Sequence, residues 1–184
     1  MKIGVLTKNP GKIAVVNYVF PKYGIDFEFI SRDFAEIQAA TSKEIAEDTA
    51  LLAAKELSRP IVREDASLYI NALGFPGPFT TYIERMVPAE KLLQMLKSFK
   101  DRSGYFESAV AYVEPSGELK TFITKIEIEI NTKPEGDLVA WGAWDTVLKF
   151  KEETRTFASY PIEERLPVWS KIYEPVAKYI LKKS

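Results

Sequence analysis

The sequence predicts one α/β domain in which a mixed, twisted central sheet is flanked by helices. Strand and helix patterns alternate along the chain, and one long hairpin at 105–130 adds antiparallel strands to them. The 184 residues contain no linker or internal repeat, and this length suits a single domain. We therefore expect one compact domain over residues 1–184.

The first elements alternate between strand and helix. Short apolar runs are typical of strands, and apolar residues that recur every three or four positions indicate helices. Pro10 stands in the first turn of its helix, where proline is tolerated, and Thr41 or Ser42 caps the next one. In chain order the predicted elements are a strand at 2–6, a helix at 10–19, a strand at 26–30, a helix at 42–57, a strand at 60–70 and a rigid loop at 74–78.

The remaining elements include the longest strands. Apolar residues and threonine recur at every second position from 122 to 130, and Lys125, Glu127 and Glu129 alternate with them. This pattern is typical of a strand that is buried on one face. The predicted elements are a helix at 88–99, hairpin strands at 105–113 and 119–130, a strand at 145–150 and a terminal helix at 175–182.

Two absences in the composition exclude classes of chemistry. The chain contains no cysteine, which excludes disulfides, thiolate nucleophiles and cysteine-ligated metal sites. It contains no histidine either, which excludes the Ser-His and Cys-His catalytic pairs. Any active site would therefore depend on carboxylates and lysines.

Charge and hydropathy limit the partners that we expect. With 25 basic and 26 acidic residues the net charge is −1, so no overall field attracts the chain to nucleic acid or to an anionic membrane. No apolar stretch approaches the roughly 18 residues that span a bilayer, and the start lacks the layout of a signal peptide. We expect a cytoplasmic protein that binds neither nucleic acid nor membrane.

The segment Thr7-Lys8-Asn9-Pro10-Gly11-Lys12 lies where the first strand leads into the first helix. Backbone amides and the helix N-terminus converge there, which favours an anion. Thr7 and Asn9 can donate hydrogen bonds, and Lys12 can bring a positive charge to a phosphate. The alternative is structural: Asn9 caps the helix and Lys12 is solvated.

A second candidate is the pair Glu64-Asp65 inside an otherwise apolar strand. Successive side chains of a strand face opposite sides, so only one of the two can point into a given cleft. A buried carboxylate is costly unless it is paired or binds a cation, and Mg²⁺ prefers carboxylate oxygens. The alternative is an edge strand whose acidic residues face water.

Four further residues are candidates in irregular segments. Glu36 and Asp145 are carboxylates that could complete a metal site or belong to the ordinary surface. Trp141 and Trp144 flank Gly142 and could form a stacking surface for a base, although tryptophans are more often core or interface residues. The sequence alone leaves these alternatives open.

In order along the chain, these segments resemble the inosine triphosphate pyrophosphatase family, also called the Ham1-like family. The Gly-Phe-Pro-Gly loop together with the Glu-Asp strand is the most specific part of the resemblance. The matching segments are Val5 to Lys12, Phe34 to Gln38, Glu64 to Leu68, Gly74 to Phe79, Thr156 to Ala158 and Ile162 to Arg165.

The resemblance implies a homodimeric enzyme that hydrolyses nucleoside triphosphates of deaminated purines to the monophosphate and pyrophosphate, in a cleft between two lobes. Mg²⁺ would be the cofactor, held by Glu36 and Asp65, and Asp65 would also position or deprotonate the attacking water. Lys12 would be catalytic as well as a phosphate ligand. The implied substrate contacts are Thr7, Asn9, Lys12, Ser67, Trp144, Asp145, Arg165 and Lys171.

The purine-recognition end departs from the family. Its Phe-Gly-Tyr-Asp-Pro motif corresponds to 142–148, where the aspartate is kept as Asp145. Its Ser-His-Arg motif corresponds to 169–171, and Arg165 replaces a lysine. A family lysine on the second helix also has no counterpart, because Leu51 and Leu52 occupy that region. Two hypotheses follow: an active pyrophosphatase with altered base preference, or a nucleotide-binding protein without turnover.

Overall fold

The computed structural model describes residues 2–137 and 142–183. The strands are β1 (Ile3–Leu6), β2 (Phe27–Ile30), β3 (Ile61–Ile70), β4 (Phe75–Gly77), β5 (Ser103–Val113), β6 (Leu119–Ile130) and β7 (Leu148–Phe150). The helices are α1 (Pro10–Val19), α2 (Ser42–Leu57), α3 (Thr80–Met86), α4 (Ala89–Met95), α5 (Ile162–Trp169) and α6 (Glu174–Lys183). Short 3₁₀ helices cover Phe20–Tyr23, Ala143–Thr146, Phe157–Ser159 and Ser170–Ile172.

The strands form one mixed sheet, as the sequence predicts. Its order is β2-β1-β3-β5-β6-β7, with β4 paired to β3. Strand β1 is parallel to both of its neighbours, whereas β4 is antiparallel to β3 and β7 is antiparallel to β6. The register of β1 and β3 places Leu6, the last residue of β1, opposite Arg63 of β3. The loop after β1 and the acidic residues of β3 therefore come together.

The chain divides into two compact units. Unit 1 consists of Met1–Ala66, Ser108–Thr124 and Leu166–Ser184, and unit 2 consists of Ser67–Glu107 and Lys125–Arg165. The single domain expected over 1–184 and the cleft between two lobes both stay predictions.

The core of unit 1 is built on the alanine face of α2. Ala46, Ala50, Ala53 and Ala54 are buried against strand residues such as Ile61. Their spacing of three and four residues places them on one side of the helix. Small side chains allow the helix to lie close to the sheet, and Ile45 of the same helix is buried as well. Leu51, on the opposite side of α2, is 38% exposed.

Unit 2 has its own core of aliphatic and aromatic side chains. Ile128 and Ile130 of β6 are buried, as their alternation with charged residues predicts. The rings of Phe150 and Phe157 meet edge to face with centroids 4.8 Å apart. Leu92 of α4 is fully buried.

Several elements differ from the sequence prediction. Helix α3 buries no residue, so it has no apolar stripe by which periodicity would reveal it. Helix α5 contains Pro167, which argues against a helix from sequence alone. Asp145, expected in a strand, lies in the 3₁₀ helix Ala143–Thr146, and β7 begins three residues later. Among the described residues, no helix has the length and apolarity needed to cross a membrane.

Candidate active site

The predicted phosphate loop begins where β1 ends. The buried Thr7 hydroxyl accepts a hydrogen bond from the Asn9 amide at 3.1 Å. The Asn9 side chain accepts from the amides of Gly11 at 2.8 Å and Lys12 at 3.2 Å, which makes it the N-cap of α1. The capping role that we considered for Asn9 is therefore present. It fixes the loop in front of the helix N-terminus, where an anion is favoured.

Asn9→Ala is expected to lower the free energy of unfolding by about 1 kcal/mol, because two amides of the first turn lose their acceptor. Urea unfolding at constant pH measures the change. Asn17→Ala is the matched control, since Asn17 is exposed in the last turn of α1, where alanine is the better helix former. Equal losses of stability in the two variants would contradict the capping role.

Lys12 reaches from α1 to β3, where it meets Glu64. Its ammonium lies 2.6 Å from the Glu64 carboxylate and donates to the Glu64 carbonyl oxygen at 3.0 Å. The Glu64 side chain is only 3% exposed and the Lys12 side chain 22%. The alternatives of a solvated lysine and of a water-facing edge strand are therefore wrong, because β3 lies between β1 and β5.

Asp65 is the most strongly perturbed carboxyl of unit 1. Burial raises its pKa to about 6, and the negative charge of Glu64 acts in the same direction. The positive charges of Lys12 and Arg63 oppose this rise. Its buried Oδ2 atom has no hydrogen-bond partner among the described residues. A carboxyl in this state is a candidate for a functional role, since burial without a partner is costly.

In metal-free protein, Asp65→Asn is expected to stabilise the fold above about pH 6, by about 1–2 kcal/mol. The pKa of Asp65 is higher in the folded state, so its contribution to stability is present below the unfolded value and is lost as the pH rises through about 6. The stabilisation should shrink as the pH falls below about 6 and vanish below about pH 3, where the carboxyl is protonated in both states.

Thermal unfolding of both proteins in EDTA across this pH range tests that expectation. Asp48→Asn is the control, because Asp48 is exposed on α2. An Asp65→Asn variant that is destabilised at neutral pH would show that the carboxylate is structurally required.

A cavity of about 150 Å³ lies beside the loop in unit 1. It combines the Thr7 hydroxyl with charges of both signs, and Glu36 pairs there with the Arg63 guanidinium at 2.9 Å. The Glu36 side chain is 48% exposed, so it can exchange its partner. The polar residues that line the cavity are Thr7, Lys8, Arg32, Asp33, Glu36, Thr49 and Arg63.

The predicted metal ligands, Glu36 and Asp65, are two carboxyls of unit 1 that could bind a cation. The described residues contain no group of three or more acidic side chains arranged to hold a metal ion. The two carboxyls nevertheless interact, since the negative charge of Glu36 raises the pKa of Asp65. The unpartnered Asp65 oxygen and the exposed Glu36 carboxylate fit a hard cation that also takes oxygens from its substrate.

A second cluster of predicted residues lies in unit 2. The Asp145 and Arg165 side chains form a buried ion pair with 3.6 Å between Oδ2 and Nη1. The Trp144 amide donates to Glu84 at 2.8 Å, and the indole nitrogen donates to the Val87 carbonyl at 2.7 Å. Burial raises the pKa of Glu84, and its hydrogen bond from Trp144 opposes that rise. The cluster is held by buried polar contacts.

The structure corrects the stacking role proposed for Trp144. Its indole is completely buried, so neither face is open to a base, and it acts as a core residue. Trp141 lies outside the described residues. Ser67 is buried on β3, whereas Lys171 is exposed in the 3₁₀ helix Ser170–Ile172.

Two residues of these clusters were missed from the sequence. Arg63 had a usable signal, because a charged residue in an apolar strand is as anomalous as its neighbour Glu64. Glu84 had none, because α3 shows no amphipathic pattern. Each unit thus contains one charged side chain that the sequence analysis missed, and only in the case of Glu84 was there no signal to find.

Comparison with known proteins assigns the family. The sequence profile of the Ham1 family matches residues 3–168, which is most of the chain. The chain belongs to the Ham1 family. A dITP/XTP pyrophosphatase from Methanopyrus kandleri is 34% identical to this Ham1 family member over 169 residues, which cover 91% of the chain and 89% of the relative. One from Saccharolobus solfataricus is 32% identical over 166 residues, which cover 90% and 85%.

Solved structures agree with the predicted fold of this Ham1 family member. A HAM1 protein from Coxiella burnetii matches with a TM-score of 0.80 at 24% identity, and it covers all of both chains. The Ham1 protein of Staphylococcus aureus matches with a TM-score of 0.78 at 22% identity over the same 100% of each chain. The predicted α/β fold and the predicted family are both confirmed.

Proposed function

We propose that this Ham1 family member hydrolyses nucleoside triphosphates of deaminated purines, such as ITP, dITP and XTP, to the nucleoside monophosphate and pyrophosphate. The observation that carries the proposal is Asp65, a partly buried carboxyl with a raised pKa, whose Oδ2 atom has no hydrogen-bond partner among the described residues, beside a capped anion-binding loop. Relatives that are 32–34% identical over about nine-tenths of the chain are named dITP/XTP pyrophosphatases, which supports this substrate class.

Different residues of the chain bind the phosphates and accept the proton of water. The Thr7–Asn9 loop and the N-terminus of α1 receive the phosphates, and Lys12 contributes positive charge at the same place. Water cleaves the bond between the α- and β-phosphates, so one oxygen atom of water enters the products and pyrophosphate leaves. Asp65 accepts the proton of that water, because its pKa of about 6 makes it a stronger base than an ordinary aspartate and leaves it ionised at neutral pH.

We propose Mg²⁺ as the cofactor, with Glu36 and Asp65 as its protein ligands. When bound, the ion neutralises phosphate charge and polarises the phosphoryl oxygens. The donor set of two carboxylates suits a cation that keeps several waters and binds mainly through substrate phosphates. Mn²⁺ takes similar oxygen ligands, so the two ions are to be compared directly.

The proposal extends to a cytoplasmic homodimer. Helix α3 buries no residue, and its apolar side chains Tyr82 and Met86 are 61% and 69% exposed. Exposed apolar side chains on one helix are suited to contact a second copy. Light scattering on the purified protein measures the mass, and a monomer at all concentrations would contradict the dimer.

The competing function is a nucleotide-binding protein without turnover. The observation in its favour is the buried Asp145–Arg165 pair, because two side chains expected to contact substrate neutralise each other inside unit 2. Such a protein would bind a nucleoside triphosphate and release no pyrophosphate.

Initial rates of pyrophosphate release from ITP, XTP, dITP, dUTP, GTP and ATP separate the two functions and rank the bases. The assay is run with Mg²⁺, with Mn²⁺ and with EDTA. The enzyme proposal expects metal-dependent release with higher kcat/KM for ITP and XTP than for ATP. If every nucleotide binds and none yields pyrophosphate, the protein is a nucleotide-binding protein without turnover.

A further inference from the structure

Arg63 is a cation of the candidate site to which neither the family motifs nor the proposed chemistry assigns a role. It precedes Glu64 in β3 and is two residues from Asp65, so its side chain and that of Asp65 emerge on the same face of the strand. Its charge acts directly on the pKa of Asp65. Arg63 therefore lies next to Asp65, the carboxyl that we propose as the base.

The guanidinium of Arg63 is fixed at the base of the phosphate loop. One terminal nitrogen donates to the carbonyl of Leu6, the last residue of β1, at 3.1 Å, and the other contacts Glu36 at 2.9 Å. The side chain is only 15% exposed. A guanidinium held in this way needs little reorganisation to receive a ligand.

Two features show that the Arg63 guanidinium can form further hydrogen bonds. The Nε atom is buried and has no hydrogen-bond partner in the part of the chain that the structure describes. Its ion-pair partner Glu36 is half exposed, and pairs with such a residue contribute little to stability. A structural role alone thus leaves one buried donor of the guanidinium, Nε, without an acceptor among the described residues.

The cavity in front of Arg63 has the size and polarity of a phosphate site. Its volume of about 150 Å³ is below the roughly 300–1,000 Å³ that encloses a drug-sized ligand, so it suits a charged group and not a whole nucleotide. Thr7 and Glu36 line it together with Arg63. Nε and Nη2 lie along one edge of the planar guanidinium, which is the fork that binds phosphate bidentately.

We propose that Arg63 binds a phosphate group of the nucleoside triphosphate through this fork and exchanges its ion pair with Glu36 for that contact. Glu36 is then released toward the cation that accompanies the substrate. The proposal rests on the proposed function for the identity of the ligand. It adds Arg63 to the substrate-binding residues of the site.

Equilibrium binding in EDTA tests the proposal without turnover, with ITP and inosine as probes. Arg63→Met is expected to weaken ITP binding by about 10- to 100-fold, the range for a charge-assisted pair of hydrogen bonds, and to leave inosine binding unchanged. Arg59→Met is the matched control, because Arg59 also pairs with a glutamate, Glu28, and donates to a backbone carbonyl, that of Lys2. It should bind ITP as the wild type does.

Arg63→Lys provides a second test if Arg63→Met does not melt cooperatively. Lysine keeps the charge but lacks the fork, so ITP binding should still weaken by several-fold. Affinity for ITP within twofold of the wild type in a folded Arg63 variant would overturn the proposal.

Pyrophosphate release by the wild type, measured in parallel with Mg²⁺, separates the two claims. Release together with unchanged ITP affinity in the Arg63 variants refutes the role of Arg63 alone. Weakened ITP affinity together with no release supports Arg63 as a phosphate ligand and refutes the pyrophosphatase.

Discussion

Asp65→Asn is expected to lower kcat for pyrophosphate release by about 10³–10⁴-fold, which is the upper range for loss of a general base that also contacts the metal. Asparagine has nearly the shape of aspartate, but it neither accepts the proton of water nor carries the charge that holds a cation. Among the described residues the buried Oδ2 atom of Asp65 has no hydrogen-bond partner, so the substitution breaks no hydrogen bond of that atom.

Rates and binding must be measured on the same preparation of the Asp65→Asn variant. ITP affinity in EDTA should fall by less than about tenfold, because the phosphate loop is unchanged. Asp48→Asn on the exposed side of α2 should keep the wild-type rate. A variant of Asp65 with more than a tenth of wild-type kcat would exclude this residue as the base.

Lys12→Met is expected to destabilise the fold by about 3 kcal/mol and to abolish turnover. The substitution leaves the Glu64 carboxylate buried, at 3% exposure, without its counter-charge at 2.6 Å. An uncompensated buried charge is the costly outcome, whereas the pair itself contributes little net stability. The loss should therefore be largely recovered in the double variant Lys12→Met/Glu64→Gln.

Urea unfolding of the single and double variants measures this coupling. Lys8→Met is the control for stability, because the Lys8–Asp33 pair is exposed on both sides, at 54% and 88%, and such pairs are worth little. Turnover should not return in the double variant, because the positive charge at the loop is still missing. A double variant no more stable than Lys12→Met would contradict a buried charge as the cause of the loss.

The elements that could be predicted have local signals. Pro10 and Asn9 mark the start of α1, and Thr41 with Glu44 forms the capping box that starts α2. Strand β6 was found from its alternation of apolar and charged residues. Each of these signals lies within a few residues of the element that it defines.

The elements that sequence analysis missed depend on the fold around them. Helix α3 has no buried face and α5 contains a proline, so neither carries the usual periodicity. The loop predicted at 74–78 pairs with β3 as strand β4, a contact that only the tertiary structure provides. Local propensity is overridden in such segments.

The candidate site was predicted in part for the same reason. Thr7, Asn9 and Asp65 stand in short motifs, and the structure brings the loop and the acidic strand together as neighbouring parallel strands. The Lys12–Glu64 pair joins residues that are 52 positions apart, so no local sequence pattern predicts it. The burial of Trp144 and of Arg165 is likewise a property of the packed unit 2, which a motif comparison does not reveal.

In the proposed reaction the bond that breaks joins the α- and β-phosphates, and Asp65 is required to break it. The decisive measurement is the stoichiometry of IMP, IDP, pyrophosphate and phosphate formed from ITP with Mg²⁺ in a single turnover. We predict IMP and pyrophosphate in equal amounts with the wild type and neither with Asp65→Asn. IDP and phosphate as the products, or equal yields from the two proteins, would contradict the account.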